Sequence, residues 1–268
     1  MVLLHGLASQ RRFWNLVVPY LAGLPVVAID QRGHGDSEQP ESGYDFDTIA
    51  SDVVTALDAL GWSRAVVVGH SWGAGVALCI AAMHPERTLA TVAIDGGVST
   101  PSRRWTRDEA REALSPPRFA VPPEELVARI RDGWLAGFWS PEAEEAILPI
   151  FGVGADGLAR ARLTFAHHMQ VVDALYDYDP DAVLTNVRCP AWIAIAEPVT
   201  ATEPSEAGWA TDKAAGIERA AALLALPRLI RLGGAVHDVP LQWPGLVAGV
   251  IRAAVDEVAR GATAEGRT

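Results

Sequence analysis

Residues 65–83 read Ala-Val-Val-Val-Gly-His-Ser-Trp-Gly-Ala-Gly-Val-Ala-Leu-Cys-Ile-Ala-Ala-Met. The run 65–68 is apolar and β-branched, which predicts a buried strand. Residues 72–83 carry a helical pattern. Gly69-His70-Ser71-Trp72-Gly73 lies at the junction. A Gly-x-Ser-x-Gly between strand and helix predicts a sharp turn that strains the serine backbone and lifts its hydroxyl clear of the sheet. Glycines flank it because the chain passes too close to itself for side chains. The helix N-terminus would add partial positive charge where an oxyanion develops. The plain alternative is a chance match in an ordinary turn; a strand before it and a helix after it argue against that.

Outward from this turn, short apolar runs at 2–4, 26–29, 89–94, 191–196 and 229–232 alternate with helical spacing at 12–21, 46–60, 211–224 and 245–259. Alternation of this kind reads as βαβ units around a parallel sheet. The 268 residues are 50% apolar, enough for one α/β domain with strands buried on both faces. Residues 1–98 and 187–268 form its core. Residues 99–186 contain no convincing strand and show helical spacing at 124–139, 143–151 and 158–174. This stretch is expected to be a helical lid over the strands' C-terminal ends, where ligands bind in open α/β sheets.

A serine hydroxyl needs an adjacent base to act as a nucleophile. Ser71 is the candidate nucleophile and His237 the candidate base, since His237 follows the 229–232 strand and Gly233-Gly234. The other histidines fit less well. His5 and His34 sit in glycine-rich loops, and His70 lies inside the turn, pointing away from its neighbour. His84 ends a helix, and His167 and His168 lie on the insertion.

A net charge of −11 argues against a nucleic-acid surface. Cys79 and Cys189 read as structural thiols in a reducing cytosol. The N-terminus lacks the basic and apolar segments of a signal peptide, and no apolar run is long enough to span a bilayer. A cytoplasmic location without membrane contact is therefore expected. No metal or organic cofactor is implied: His and Cys spacings match no zinc site, and there is no GxGxxG or Walker loop. Lys213 is the only lysine, and nothing local assigns it a function.

Four motifs in order resemble the α/β-hydrolase superfamily, along nearly the whole chain outside the insertion. Val2-Leu3-Leu4-His5-Gly6 resembles its oxyanion strand, and Asp30-Gln31-Arg32-Gly33-His34-Gly35-Asp36-Ser37 its Asp-x-Arg-Gly-x-Gly-x-Ser loop. Gly69–73 matches the nucleophile elbow, and His237-Asp238-Val239-Pro240 resembles the histidine loop. The resemblance implies oxyanion donors at the backbone N–H groups of Leu7 and Trp72, and loop-bracing roles for Asp30 and Arg32.

Three departures from the family pattern stand out. The usual acid position after the 191–196 strand reads Glu197-Pro198-Val199-Thr200-Ala201-Thr202, without an Asp. Asp95, before Gly96-Gly97, is favoured as the acid, an arrangement similar to that of haloalkane dehalogenases; Glu197 is the alternative. Dehalogenases and epoxide hydrolases carry Asp in the elbow, so Ser71 implies acyl transfer over an alkyl–enzyme ester. The family's first two strands are missing, which would leave the 26–29 strand as a bare edge open to self-association. Two readings of that edge stand: a gene start placed too late, or a natural short form that pairs its edge with a partner.

The expected function is a serine hydrolase forming an acyl-enzyme on Ser71 with a small ester, thioester or related acyl substrate. Trp105, Trp134, Phe138, Trp139, Phe151 and Phe165 on the insertion favour an apolar or aromatic acyl group, although such stripes usually pack a core. Arg103, Arg104 and Arg107 could draw in an anionic substrate or carrier protein; a solvated face is the simpler reading. Two rivals remain: an acyltransferase using the same residues, and a non-catalytic binding module on the same fold.

Overall fold

The structure is a computed structural model that describes residues 1–197 and 204–265, the side chains of 204–207 and 262–265 excepted. The first half runs β1 (Val2–Leu4), β2 (Val27–Ile29), α1 (Phe46–Ala59), β3 (Ala65–His70), α2 (Trp72–Met83) and β4 (Thr88–Ile94). The insertion holds α3 (Arg107–Ala113), α4 (Pro123–Arg129), α5 (Pro141–Ile147), β5 (Phe151–Val153), β6 (Ala159–Ala161), α6 (Phe165–Asp177) and α7 (Pro180–Asn186). The chain then returns through β7 (Ala191–Glu197), α8 (Pro204–Leu223), β8 (Pro227–Gly233), α9 (Val239–Gln242) and α10 (Pro244–Glu265).

The six long-range strands form one sheet in the order β2-β1-β3-β4-β7-β8, every pair parallel. Alternate residues feed opposite faces, as strand geometry requires. On one face Leu3, Val66, Val68, Val92 and Ala194 pack with Phe13, Trp14 and the α10 residues Val247 and Ile251. On the other, Val2, Leu4 and Val67 meet Val53, Leu57 and Val76 of α1 and α2. Further along that face Ile193 and Ile195 meet Ile217 and Ala220 of α8. Each fully buried aliphatic side chain contributes roughly 1.5–3 kcal/mol. Register aligns the strand ends: Leu4 pairs with Gly69, and Ile94 pairs with both His70 and Ala194. His5, Ser71 and Asp95 therefore emerge along one edge. β2 lies at the sheet's border, as expected for residues 26–29.

Several local expectations are corrected. Residues 12–21 form two short 3-10 turns, Arg11–Trp14 and Val18–Leu21, because Pro19 cannot donate within a continuous helix. The insertion does contain strands. β5 and β6 pair antiparallel around the Gly154–Gly157 turn, with Gly157 at φ 78°. The 124–139 pattern is cut short: α4 runs into a π turn at Ile130–Trp134 ahead of Gly137, whose φ is 91°. α3 is fixed by a capping box in which Thr106 and Glu109 exchange hydrogen bonds. Leu126, Ile130, Leu135, Ile147 and Ile150 of the insertion join the α10-side core. Among the described residues no helix is long and apolar enough to cross a membrane.

Candidate active site

Ser71 ends the turn between β3 and α2 at φ 55°, ψ −120°. An L-residue holds such a conformation at a cost of order 1–3 kcal/mol, so the surroundings must impose it. They do so by close approach. A Cβ at Gly69 would lie 1.9 Å from the Gly73 carbonyl oxygen, and one at Gly96 would lie 2.2 Å from that of Ser71. The Ser71 N–H donates to the Ile94 carbonyl at 2.9 Å, tying the turn to β4.

Asp95 follows β4 at φ 46°, with its side chain fully buried. His237 follows β8 in a loop braced by Gln242, whose Oε1 accepts from the Val236 N–H at 2.9 Å. His237 Nδ1 lies 2.6 Å from Asp95 Oδ2, and Nε2 lies 3.0 Å from Ser71 Oγ. An ionised carboxylate only accepts, so Nδ1 carries the proton and Nε2 is left to accept from the serine hydroxyl. The Ala196 N–H and Lys213 Nζ also donate to Asp95 Oδ1, at 2.8 and 3.0 Å, and Lys213 Nζ reaches Oδ2 at 2.9 Å. Burial pushes the Asp95 carboxyl up, but the hydrogen bond and charge of His237, then those of Lys213, outweigh it and bring the pKa to about 2. For His237, burial at the Nδ1 edge acts downward, although 54% of its side chain is open to solvent. The hydrogen bond and charge of Asp95, followed by the charge of Asp238, raise its pKa above the ordinary imidazole value, against an opposing effect from Lys213.

The opposite wall is the turn after β1. A Cβ at Gly6 would lie 3.1 Å from Ser71 Cβ, so the backbone leading to Leu7 passes directly beside the serine. Trp72, the residue after Ser71, opens α2. The turn is fixed by two buried neutral histidines. His34 Nε2 accepts from the Ala8 N–H at 3.2 Å, and its Nδ1–H donates to the Arg32 carbonyl at 2.8 Å. His5 Nε2 accepts from the Gln31 N–H at 3.1 Å, and its Nδ1–H donates to the Gly6 carbonyl at 2.8 Å. With one donor and one acceptor nitrogen committed in each ring, protonation would set N–H against N–H. Burial brings the His34 pKa down to about 4 and that of His5 well below its usual value.

A family model described as the alpha/beta hydrolase fold matches residues 1–131. A solved structure of E-2-(acetamidomethylene)succinate hydrolase superposes with a TM-score of 0.73, covering 96% of this chain and 91% of that one at 23% identity. The chain has the α/β-hydrolase fold. Among curated proteins this chain is 43% identical over 104 residues to epoxide hydrolase B of Mycobacterium tuberculosis. That match takes in 37% of this chain and 28% of the relative's length. It is also 30% identical over 131 residues to lipase LipV of the same organism, 49% of each chain.

The α/β-hydrolase fold brings Ser71, His237 and Asp95 into one hydrogen-bonded line, and sets the backbone of Gly6, Leu7 and Trp72 beside it. Glu197 is not part of this line: its carboxylate pairs with Arg231 at 2.6 Å and is 40% exposed. Residues 198–202, the expected acid loop, lie outside the described residues. Arg103 pairs with Asp181, Arg104 with Asp212, and Arg107 with Asp173 and Asp177, so these arginines brace the insertion and α8. Asp30 and Arg32 are structural anchors. Asp30 accepts from the N–H groups of Arg11 and Asp36 and from the Arg11 guanidinium, and Arg32 forks onto Asp52.

Two contributors escaped sequence reasoning. His70 does not idle inside the elbow: its Nε2–H donates to the His237 carbonyl at 2.8 Å and holds that loop. Lys213 grips Asp95 across 118 positions of sequence. Its one legible signal was its being the only lysine in the chain.

Proposed function

We propose that this chain cleaves a carboxylic ester, thioester or related acyl bond through an acyl-enzyme on Ser71. One observation carries the reading: Ser71 Oγ sits 3.0 Å from an imidazole nitrogen whose partner nitrogen is held by a buried carboxylate. His237 Nε2 takes the hydroxyl proton as Oγ attacks the carbonyl carbon. The tetrahedral oxyanion rests on the N–H groups of Leu7 and Trp72, each worth ~3 kcal/mol of barrier. The imidazolium, stabilised by Asp95, then protonates the leaving group. Water, activated by the same imidazole, releases the acid. Residues 99–186 act as the lid. Trp134 donates from its indole N–H to Asp238, beside the base, and so joins the lid to the histidine loop.

The epoxide hydrolase likeness makes ring opening the second reading. A carboxylate that opens an epoxide leaves an ester, which water can cleave. A serine that did so would leave an ether, which this machinery has no means of cleaving. Ser71 therefore favours acyl chemistry.

A panel of p-nitrophenyl esters, acyl thioesters and an aryl epoxide, with a fluorophosphonate probe, tests the proposal. Turnover of an ester or thioester and labelling that vanish in Ser71→Ala are expected. Diol formation from the epoxide, or the absence of both labelling and turnover, would remove the acyl-enzyme reading; the latter result favours a binding module. Product analysis with an added alcohol, amine or thiol separates hydrolysis from transfer to an acceptor.

A further inference from the structure

Asp95 is buried on every side, yet a cation shares it with His237. Lys213 projects from α8, its side chain 14% exposed, and its single nitrogen lies 3.0 and 2.9 Å from the two carboxylate oxygens. We propose that Lys213 is a positioning and charge-tuning residue that sets the basicity of His237 by neutralising Asp95; this rests on the acyl-enzyme reading above.

Geometry supplies the first argument. Oδ1 is occupied by the Ala196 N–H and Lys213, which fixes the carboxylate plane and aims Oδ2 at His237 Nδ1. A compact ammonium bridges both oxygens while leaving room on Oδ2 for the imidazole. In a chain whose other permanently charged bases are all arginine, the sole lysine stands on this carboxylate.

Charge supplies the second. A lone buried carboxylate raises the proton affinity of a bonded imidazole by both hydrogen bond and field. An Asp–Lys pair keeps the hydrogen bond and cancels most of the field. His237 is faced by four further groups. The His70 ring lies 4.9 Å away, tilted by 43°, and is held neutral by burial, Asp238 adds a negative charge, and Asp95 and Lys213 oppose each other. Ser71 Oγ contributes no charge. Asp212, next to Lys213 on α8, is committed to Arg104. Among the described residues Lys213 is therefore the cation turned toward the acid.

The test combines Lys213→Met, Lys213→Gln and Lys213→Arg. The His237 imidazole is titrated by NMR in a Ser71→Ala background, and kcat/KM is followed against pH with a p-nitrophenyl ester. Removing the cation should raise the His237 titration, and the acidic limb of kcat/KM, by about one unit in both Met and Gln variants. Lys213→Arg should keep the wild-type value. Gln preserves a hydrogen bond to Asp95 without charge, so an unshifted titration in a folded Gln variant overturns the proposal in favour of a merely structural contact. If neither neutral variant folds, a folded Arg variant with the wild-type titration supports the charge requirement, and a shifted one overturns it. The NMR titration needs no turnover, so a wild type inert toward every acyl substrate defeats the acyl-enzyme reading and leaves Lys213 separately judged.

Discussion

Two loops of this molecule begin with an Asp just past a strand and involve a histidine, and they treat that pair in opposite ways. After β2, Asp30 accepts from two backbone N–H groups and from Arg11, partners that do not titrate near neutrality. His34, in the same loop, has both ring nitrogens committed to backbone and is held neutral. After β4, Asp95 accepts from His237, whose second nitrogen points to a hydroxyl. A histidine closed on both sides is a brace, whereas one closed on one side can move a proton. Residue type is equal in the two loops; what differs is whether a ring nitrogen is left for chemistry.

The strongest blow to this contrast falls on the second loop. Asp95→Asn should lower kcat on the ester panel by ~10³–10⁴-fold, because an amide can hold Nδ1 in the wrong tautomer. A loss under tenfold would mean that His237 draws its orientation from elsewhere, with His70 and Gln242 the next suspects.

Acid sharpens the contrast in the first loop. Folded His34 stays unprotonated down to about pH 4, whereas the unfolded chain takes up that proton below the ordinary value of 6.5. Stability must therefore fall as pH drops through that window, by about 3 kcal/mol from His34 alone. The Asp95 contribution disappears lower, between the unfolded carboxylate value and about pH 2. Urea unfolding at pH 7 and 4.5 should reveal the first loss. His34→Gln, which keeps one donor and one acceptor, should reduce it by the His34 share, leaving that of His5 and His70.

Asp30→Asn should cost about 2 kcal/mol of stability through the lost charge-assisted bonds. It should leave kcat of the folded protein within a few-fold. A kcat loss matching that of Asp95→Asn would erase the distinction between brace and reacting pair. The smallest effect belongs to Glu197→Gln, which breaks a half-exposed ion pair and should change kcat by less than about twofold and stability by under about 1 kcal/mol.

What the sequence made legible follows one rule: it is what neighbours in the chain decide. The strand at 65–68, the glycines around Ser71 and the helix behind it are local sterics, and the elbow is where residues 69–73 place it. The parallel sheet followed from alternating apolar runs. The insertion was less readable. Its helices are short, and β5 and β6 have three residues each, too few for a period to register. The α3 capping box was a local signal in Thr106 and Glu109 that passed unread. Pro19 was a similar signal against a continuous helix over residues 12–21. Lys213 and His70 belong to another category. Their partners lie 118 and 167 positions away, and no window of sequence contains both ends of such a contact.

The lone lysine of α8 has a further consequence at the bench. A lysine-specific endoprotease finds one scissile bond in the whole chain, after residue 213, and cutting there parts Ser71 and Asp95 from His237. That bond is wound into a helix, so it is cut only in molecules where α8 has locally opened. The rate of appearance of two fragments, read on a gel, thus clocks the breathing of the helix beneath the acid.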